Sequence, residues 1–323
     1  MLVHEQLRIY LAQLPLPFKL NHINCYIVKG NAGTWIIDSG LNTTTSRQVW
    51  MQFLDQNDIR PEDIRGIYLT HYHPDHFGGA GWMQQCSGAP VYISAVDAEA
   101  VNRVWQDSNN QSAQKMAKMF NKNGMPEDLT TDVLLEMNWI VPKTKPHPEL
   151  TLMHPGDTVY LGDFEFSLLS TPGHSDGHIC FFNQEHGVLV SGDHLLPKIT
   201  SNISLWPDSA NDPLNNYLES LYSIRKLNCG LVLPAHGAPF TNMVERIDQL
   251  LTHHQERLTL MKSVASVGGT GYEICKQVFK QNLSLHEVRF ALSETLAHLM
   301  FLVNRGEMKV IEEDGQNIFV SLE

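Results

Sequence analysis

Thr70-His71-Tyr72-His73-Pro74-Asp75-His76 is the stretch that decides the fold of this 323-residue chain. It follows Ile64–Leu69, an apolar run typical of a buried strand. Because alternate residues of an extended chain point the same way, its first two histidines and its aspartate are expected to converge on one side. The turn at the proline brings in the last histidine. Imidazole and carboxylate groups without a thiolate indicate a metal site, with zinc the first choice and iron or manganese the alternatives.

Three more candidate ligands lie downstream, each after a β-prone run and beside a Gly or Pro that forces a turn. They are His174 in Thr171-Pro172-Gly173-His174, Asp193 in Ser191-Gly192-Asp193, and His236 in Pro234-Ala235-His236-Gly237. Loops held in place by a rigid scaffold of strands carry a large share of functional groups. The sequence therefore predicts a metal cleft at one rim of a sheet structure.

Together these positions resemble the signature of the metallo-β-lactamase superfamily, H-x-H-x-D-H followed by a lone His, a lone Asp and a last His. The gaps after His76 are 98, 19 and 43 residues, and the resemblance covers about residues 10–245. It implies an α/β (α+β) fold, the four-layer αβ/βα sandwich, and two divalent metal ions. The implied ligands are His71, His73 and His174 for the first ion, Asp75, His76 and His236 for the second, and Asp193 as the bridge between them.

Further site residues are expected around these ligands. Asp38, in Asp38-Ser39-Gly40, matches the Asp-x-Gly turn of the superfamily, where the aspartate orients ligands. Asp75 is expected to act in catalysis as well as in binding, by accepting a proton. Tyr72 and His178 lie near ligands in the sequence, and we expect each either to support a ligand or to contact substrate.

Departures within the superfamily narrow the expected function. Binuclear β-lactamases carry a Cys, or no bridging carboxylate, at the position of Asp193, and flavodiiron proteins carry Glu at the position of His73. The resemblance thus implies a hydrolase that uses a metal-bridging hydroxide on a small ester, thioester or lactone. Glyoxalase II, ribonuclease Z and the lactonases share all seven ligands, so a single-strand endoribonuclease or phosphodiesterase is the alternative.

Two further functions fit the ligands less well. A nucleic-acid-binding regulator would need the metal site to be structural, whereas structural zinc sites are usually closed by four ligands. A thiol dioxygenase would use iron in a histidine-rich site of this kind. Metal analysis showing one iron ion per chain would favour the dioxygenase over the hydrolase.

The chain is expected to divide near residue 245. Residues 1–245 alternate strand and helix patterns, with an insert at about 97–139 that is rich in Met and aromatic residues. The insert predicts two or three helices that either form an apolar lid over the metals or pack onto the domain. Residues 246–323 indicate three helices and a hairpin turning at Asp314-Gly315, which predicts a small winged-helix-like domain.

The combination of a metallo-β-lactamase-like domain with a winged helix, entered by His253-His254-Gln255-Glu256-Arg257-Leu258, resembles the β-lactamase-like protein 2 group over nearly the whole chain. One mitochondrial member of that group is a single-strand endoribonuclease. The charge of the chain argues against the same role here. The whole chain has a net charge of −12, and residues 246–323 contain eight Lys or Arg against ten Asp or Glu. Because a nucleic-acid-recognition domain normally shows a basic face, we expect a small-molecule substrate, with the second domain used for packing or for a homodimer.

The composition also predicts where the protein acts. The five cysteines are odd in number and show no C-x-x-C spacing, which fits a reducing compartment. Glu5, Gln6 and Gln13 interrupt the apolar run that a signal peptide would need. No stretch of 18 apolar residues occurs, so we expect a cytoplasmic protein without a membrane partner.

Overall fold

Two β-sheets face each other in the first part of the chain. The computed structural model describes residues 1–107, 109–279 and 283–322, and the counts below refer to these. The larger sheet contains, in both chain order and spatial order, the seven strands β1 (Leu2–His4), β2 (Ile9–Pro15), β3 (His22–Gly30), β4 (Gly33–Ile37), β5 (Ile64–Tyr68), β6 (Val91–Ser94) and β7 (Leu150–Met153). The smaller sheet contains the five strands β8 (Thr158–Leu161), β9 (Phe164–Ser170), β10 (Ile179–Asn183), β11 (Val188–Gly192) and β12 (Leu231–Pro234).

The pairing of these strands explains where their ends lie. In the smaller sheet each strand also pairs with its neighbours in sequence, from β8 at one edge to β12 at the other. Strands β4 to β7 run parallel to one another, as do β11 and β12, and the remaining pairs of the two sheets are antiparallel. Parallel neighbours deliver their carboxyl ends to the same rim, which is where open sheets of this kind place ligand sites.

Helices cover the outer faces of both sheets. They are α1 (Thr44–Gln56), α2 (Pro74–Phe77), α3 (Ala80–Ser87), α4 (Ala95–Val104), α5 (Gln111–Lys122), α6 (Glu127–Ile140) and α7 (Pro213–Ile224), with 3₁₀ turns at Pro61–Asp63 and Val141–Thr144. The first helix begins where the Thr43 side chain accepts a hydrogen bond from the backbone N–H of Ser46 at 3.1 Å. The helix α4 begins in the same way, capped by Ser94.

Alternating side chains of the strands make two separate cores. Phe181 and Val190 of the smaller sheet point toward Tyr26 and Tyr68 of the larger one, and the rings of Tyr68 and Phe181 meet edge to face at 6.0 Å. Neighbouring residues in the same strands, such as Leu189, pack instead with the helices. This arrangement of helix, sheet, sheet and helix confirms the predicted four-layer αβ/βα sandwich.

The insert predicted at 97–139 forms the helices α4, α5 and α6. Its apolar side chains divide into a buried and an exposed set. Met116, Phe120 and Met137 are buried in the main core, whereas Leu135 and Trp139 are 61% and 46% exposed. The insert is therefore packed onto the domain by one face of its helices.

The last part of the chain has three helices and a small sheet. These elements are α8 (Met243–Val264), β13 (Gly269–Thr270), α9 (Gly271–Val278), α10 (Leu285–Asn304), β14 (Met308–Glu313) and β15 (Gln316–Ser321), with a 3₁₀ turn at Ala265–Val267. The spatial order is β13-β15-β14, and the hairpin turns at Asp314 and Gly315, both with positive φ. The helices and hairpin lie where the sequence predicted them, while the winged-helix-like character and the boundary at 245 stay predictions.

The helix α10 lies between this last part and the rest of the molecule. It contacts α6 and α7 as well as α8 and α9. Ser293 hydrogen-bonds to Ser204 at 2.9 Å, and Arg305 pairs with Asp212 at 3.6 Å. A helix enclosed in this way is not free to enter a nucleic-acid groove. Within the described chain, no helix is both long enough and apolar enough to cross a lipid bilayer.

Candidate metal centre

The seven predicted ligands meet at the rim where several strands end. β5 ends just before His71, β9 before His174, β11 directly before Asp193, and β12 before His236. The turn before Asp193 requires glycine, since Gly192 has a φ of +50°. A Cβ there would also lie 2.8 Å from the His178 ring nitrogen Nε2. The strands and their turns therefore aim these side chains at a common cleft.

Asp75 reaches the cleft in a different way from the one that the sequence predicted. Pro74 begins the helix α2, with His73 as its N-cap, because the fixed φ of proline suits the first helical position. Asp75 thus lies on a helical turn and faces His76 and His236 instead of the earlier histidines. The expectation from an extended chain holds for the first two histidines of the motif and is wrong for Asp75.

The first group of ligands contains three imidazoles. His73 Nδ1 lies 2.9 Å from His71 Nε2 and 2.8 Å from His174 Nε2. One nitrogen cannot satisfy both partners through a single proton, so three ring nitrogens directed at one point fit a metal ion. Burial lowers the pKa of all three imidazoles, which keeps them in the neutral form that binds metals.

The second group combines a carboxylate with two imidazoles. Asp75 Oδ2 lies 3.7 Å from His76 Nε2 and 3.4 Å from His236 Nε2. Burial alone would lower the pKa of His236, but Asp193 and Asp75 outweigh it and raise this pKa to about 10. In the same way, burial would raise the pKa of Asp75, and the facing imidazoles instead lower it to about 2. The carboxylates make this end of the cleft attractive to cations.

Asp193 lies between the two groups. Its Oδ2 is 3.3 Å from His174 Nε2, and its Oδ1 is 3.6 Å from His76 Nε2 and 3.2 Å from His236 Nε2. In the described part of the chain, His76 Nε2, His236 Nε2 and Asp193 Oδ1 are buried without a hydrogen-bond partner. Such atoms are rare in proteins unless an ion or water completes them. The donor set therefore fits divalent metal ions.

Asp38 supports the cleft from behind, as expected for its Asp-x-Gly turn. Its Oδ2 accepts a hydrogen bond from His76 Nδ1 at 2.8 Å, and its Oδ1 accepts one from the backbone N–H of Thr70 at 2.9 Å. Asp38 has a φ of +62°, which is uncommon for a residue other than glycine. Because Nδ1 of His76 donates to Asp38, its Nε2 is left with a lone pair that faces the cleft.

Two more ligands are oriented by backbone carbonyls. His174 Nδ1 donates to the carbonyl oxygen of Asn202 at 2.9 Å, and His236 Nδ1 donates to that of His22 at 2.8 Å. Each bond selects the tautomer whose Nε2 points into the cleft. These roles of Asn202 and His22 could not be predicted from the sequence, because a backbone acceptor has no sequence signal.

Asn202 also connects the cleft to the helix α10. Its side-chain Nδ2 donates to Glu294 Oε2 at 3.0 Å, and the neighbouring backbone N–H of Leu205 donates to the carbonyl of Ser293 at 3.0 Å. Glu294 is buried, and this burial raises its pKa to about 7. Asn202 therefore connects the predicted metal ligand His174 to Glu294 in the C-terminal part of the chain.

Tyr72 and His178 occupy different environments. Tyr72 lines the cavity above the cleft, with its ring 4.7 Å from that of His73. His178 is fully buried; its Nδ1 donates to Thr171 at 2.8 Å, and its Nε2 accepts from the backbone N–H of Asp193 at 3.3 Å. His178 thus lies behind the ligands and is not among the side chains that line the cavity.

Asp97 is a buried carboxylate beside the cleft that the sequence analysis did not single out. It accepts hydrogen bonds from Ser175 Oγ at 2.8 Å and from the backbone N–H groups of Tyr72 at 3.0 Å and Gly177 at 2.9 Å. Burial raises its pKa to about 7. It ties the first ligand segment to the His174 loop.

A cavity of about 300 Å³ opens onto the cleft. Side chains from four parts of the chain form its mostly apolar wall: Phe18 from the β2–β3 loop, Met116 and Met137 from the insert, Trp206 from the loop after β11, and Phe290 from α10. Tyr72, Arg103 and Arg289 are polar members of the same wall. The insert therefore contributes a wall of the cavity as well as packing onto the domain.

Comparisons with known proteins agree with this geometry. Residues 19–236 match the metallo-beta-lactamase superfamily, and residues 258–321 match the metallo-beta-lactamase-like C-terminal domain. The chain is 28% identical over 296 residues to the "Probable metallo-hydrolase YqjP" of Bacillus subtilis (strain 168), covering 89% of each. It is 24% identical over 243 residues to the "Atrochrysone carboxyl ACP thioesterase" of Aspergillus fumigatus, covering 75% of this chain and 59% of that protein.

Solved structures are similar over nearly the whole length. A metallo-beta-lactamase family protein from Thermus thermophilus has a TM-score of 0.86 at 27% identity, covering 97% of this chain and 98% of that one. A beta-lactamase domain protein from Burkholderia ambifaria has a TM-score of 0.86 at 29% identity, covering 97% and 92%. With a superfamily match that includes all seven ligand positions, this chain belongs to the metallo-beta-lactamase superfamily of hydrolases and carries a C-terminal domain of metallo-beta-lactamase-like type.

Proposed function

We propose that this protein is a binuclear metal-dependent hydrolase of a small ester, thioester or lactone. One observation carries the proposal: the two oxygens of Asp193 face the two ligand groups, directly below a mostly apolar cavity. A carboxylate so placed would be shared by two ions. An apolar cavity of about 300 Å³ suits a small acyl group.

We propose the following ligands for the two ions. The first ion would be held by His71, His73 and His174, the second by Asp75, His76 and His236, and both by Asp193. Zinc is the metal we propose, because imidazoles dominate the donor set, and iron and manganese are its alternatives. Two such ions would supply a water of lowered pKa as nucleophile and would polarise the carbonyl oxygen of the substrate.

Residues of the chain would position and move the proton. Asp75 Oδ2 faces His76 and His236, and Asp75 also lines the cavity. We assign its other oxygen, Oδ1, the role of accepting the proton of the attacking water. The water oxygen adds to the carbonyl carbon, the C–O or C–S bond breaks, and the proton passes to the leaving alcohol or thiol. Tyr72 lines the same cavity, and we propose that its phenol hydrogen-bonds the substrate.

An acyl substrate is favoured over RNA on grounds of charge and shape. The net charge of −12 offers no general attraction to a polyanion, and α10 is enclosed between other helices. The relative that is named a thioesterase adds support for a thioester. We propose that the C-terminal domain serves for packing. A winged-helix-like form, a homodimer and a cytoplasmic location stay predictions.

The test is a panel of substrates on protein of verified metal content. It would compare a thioester, a homoserine lactone, an aryl ester, a bis-aryl phosphodiester and a short single-stranded RNA. We expect two ions per chain and turnover of one or more carbonyl substrates. Asp75→Asn would lose this turnover, whereas Asp208→Asn, which changes a carboxylate elsewhere on the cavity wall, would keep it. Selective cleavage of RNA would contradict the proposal and favour the endoribonuclease alternative.

A further inference from the structure

Arg289 is a buried cation in the wall of the apolar cavity. It comes from α10 and is 8% exposed. Its guanidinium lies 4.5 Å from the ring centroid of Phe290 and 5.8 Å from that of Trp206, so two aromatic rings hold it in place. A buried charge is costly unless it is paired, so the partners of this guanidinium decide its role.

The partners of Arg289 are too few for its donors. Its Nε lies 3.3 Å from Glu136 Oε2, yet neither atom makes a hydrogen bond within the described chain. Among the described residues, its Nη1 donates to the sulfur of Met137 alone, at 3.2 Å, and this sulfur is a weak acceptor. Glu136 is shared, because its Oε1 is hydrogen-bonded by His286. A guanidinium carries five N–H donors, so most of this one remains available to an acceptor in the cavity.

Outside the metal cleft, the aspartates and the other arginine of the cavity wall have partners within the described chain. Asp97 accepts three hydrogen bonds from protein groups. Asp176 accepts one from the backbone N–H of Ala210 at 2.8 Å, and Asp208 pairs with Lys115. Arg103 lies 4.0 Å from the carboxylate of Glu99, and its side chain is 39% exposed. Arg289 therefore stands out as the buried charge whose hydrogen-bonding capacity is least used.

Arg289 and the metal cleft belong to one cavity. Both line it, and so does Tyr72, whose ring lies 4.7 Å from that of His73. A ligand that reaches both ends has a carbonyl at the cleft, an apolar body between the aromatic and Met side chains, and an acceptor at Arg289. Carboxylate is the group whose planar oxygens match a guanidinium.

We infer that the acyl group hydrolysed by this protein carries a carboxylate that pairs with Arg289, so that the preferred substrates are esters or thioesters of dicarboxylic acids. This inference rests on the proposed function for the carbonyl end and adds the specificity of the other end. It makes Arg289 a substrate-binding residue supplied by the C-terminal domain.

The test uses 4-nitrophenyl monoesters of succinic, glutaric, adipic and suberic acid, each compared with the same compound methylated on its free carboxylate. We expect the free acid to be preferred about tenfold or more in kcat/KM at one chain length, as for a hydrogen-bonded charge pair. Arg289→Met should remove this preference by raising KM for the acid and leave the methylated ester within about threefold. Arg289→Lys should retain part of the preference.

Glu136→Gln gives a test of opposite sign that does not depend on the folding of an Arg289 variant. Removing the competing carboxylate should lower KM for the acid and leave that for the methylated ester unchanged. Arg103→Met is the matched control, since it removes the other guanidinium of the wall. If Arg103→Met abolished the preference and Arg289→Met did not, or if acid and methylated ester were hydrolysed equally, the inference would be overturned.

A binding measurement separates this inference from the proposed hydrolysis. Titration calorimetry would compare adipic acid monoamide, which resists hydrolysis, with adipamide, on wild-type protein and Arg289→Met. Binding of the monoamide that depends on Arg289, without turnover of any ester, would overturn the hydrolytic proposal and keep the carboxylate site. Ester turnover without such binding would do the reverse.

Discussion

The rim at the strand ends and the helix α10 both contribute side chains to the cavity, but they do so through different kinds of local structure. At the rim, short turns after β5, β9, β11 and β12 present polar side chains, and the strands behind them are apolar and regular. In α10, two buried charged residues, Arg289 and Glu294, are set among largely apolar and buried side chains. The difference shows that local turns supply the ligands. Helix packing instead supplies residues that orient a ligand and residues that line the cavity.

The largest effect is expected at the rim. Asp193→Ala removes the carboxylate that faces both ligand groups, so we expect loss of at least one ion. Hydrolysis should fall about a thousandfold or more, since two-metal sites clamp both the attacking and the leaving oxygen. Elemental analysis and ester kinetics measure this. Full activity with two ions would show that the shared role is wrong, and Asp208→Ala is the control for loss of a cavity carboxylate.

Removal of metal is expected to lower the thermal stability of the protein through its effect on the rim. Within residues 1–107, 109–279 and 283–322, His76 Nε2 and Asp193 Oδ1 are buried without hydrogen-bond partners, so an ion that binds them stabilises the folded state. At an ion concentration about a thousand times the Kd, the gain is about 4 kcal/mol. A chelator should therefore lower Tm in scanning calorimetry, and added zinc should restore it. An unchanged Tm would argue against metal binding in this cleft.

Asp38→Ala affects the rim indirectly, because Asp38 contacts the ligand His76. The substitution removes the acceptor for His76 Nδ1, so the ring loses its fixed orientation. Loss of such a partner typically costs about 10- to 100-fold in metal affinity. Competition with a chromogenic chelator measures the Kd. We expect Asp38→Asn, which retains an acceptor oxygen, to lose less; equal losses in both variants would point to the charge rather than the hydrogen bond.

The smallest effect is expected from α10. Glu294→Ala removes the acceptor for Asn202, whose carbonyl orients His174, and should weaken metal binding by about tenfold or less. Glu287→Ala, in the exposed capping box of the same helix, is the control that should leave metal affinity unchanged. A Glu294 variant with wild-type affinity would show that α10 has no role at the cleft.

Glu294 also predicts a pH dependence of stability. Burial raises its pKa from 4.5 to about 7 in the folded protein, so folding favours its protonated form. The corresponding stability is fully present below pH 4.5 and is lost as the pH rises through about 7. Glu294→Gln should therefore flatten the fall in the free energy of unfolding between these two values, measured by urea titration. An unchanged slope would contradict the shifted pKa.

The rim was largely predictable from the sequence because its signals are local. A β-prone run followed by Gly or Pro and a ligand residue predicts a strand end, and the motif spacing carried the resemblance. The failure at Asp75 has a local cause as well, since Pro74 begins a helix where an extended chain was expected. The helices of the insert and of the C-terminal part followed their apolar periodicity.

The support of the rim could not be predicted in the same way, because it depends on which distant residues meet. The acceptor carbonyls of Asn202 and His22 carry no sequence signal. For Arg289 and Glu294 a weak signal existed: an ionisable residue within an apolar helix is either paired or functional. Only the packing of α10 against α6 and the loop after β11 identified their partners.

The link from His174 through Asn202 to Glu294 makes the two parts of the chain inseparable in practice. A fragment that ended near residue 245 would keep all seven ligands, yet it would lose Glu294 together with the Arg289 and Phe290 side of its pocket. Substitutions after residue 245 would then alter metal affinity and substrate specificity without changing any of the seven ligands. Among relatives, divergence of activity should therefore follow the C-terminal helix more closely than the ligand motif.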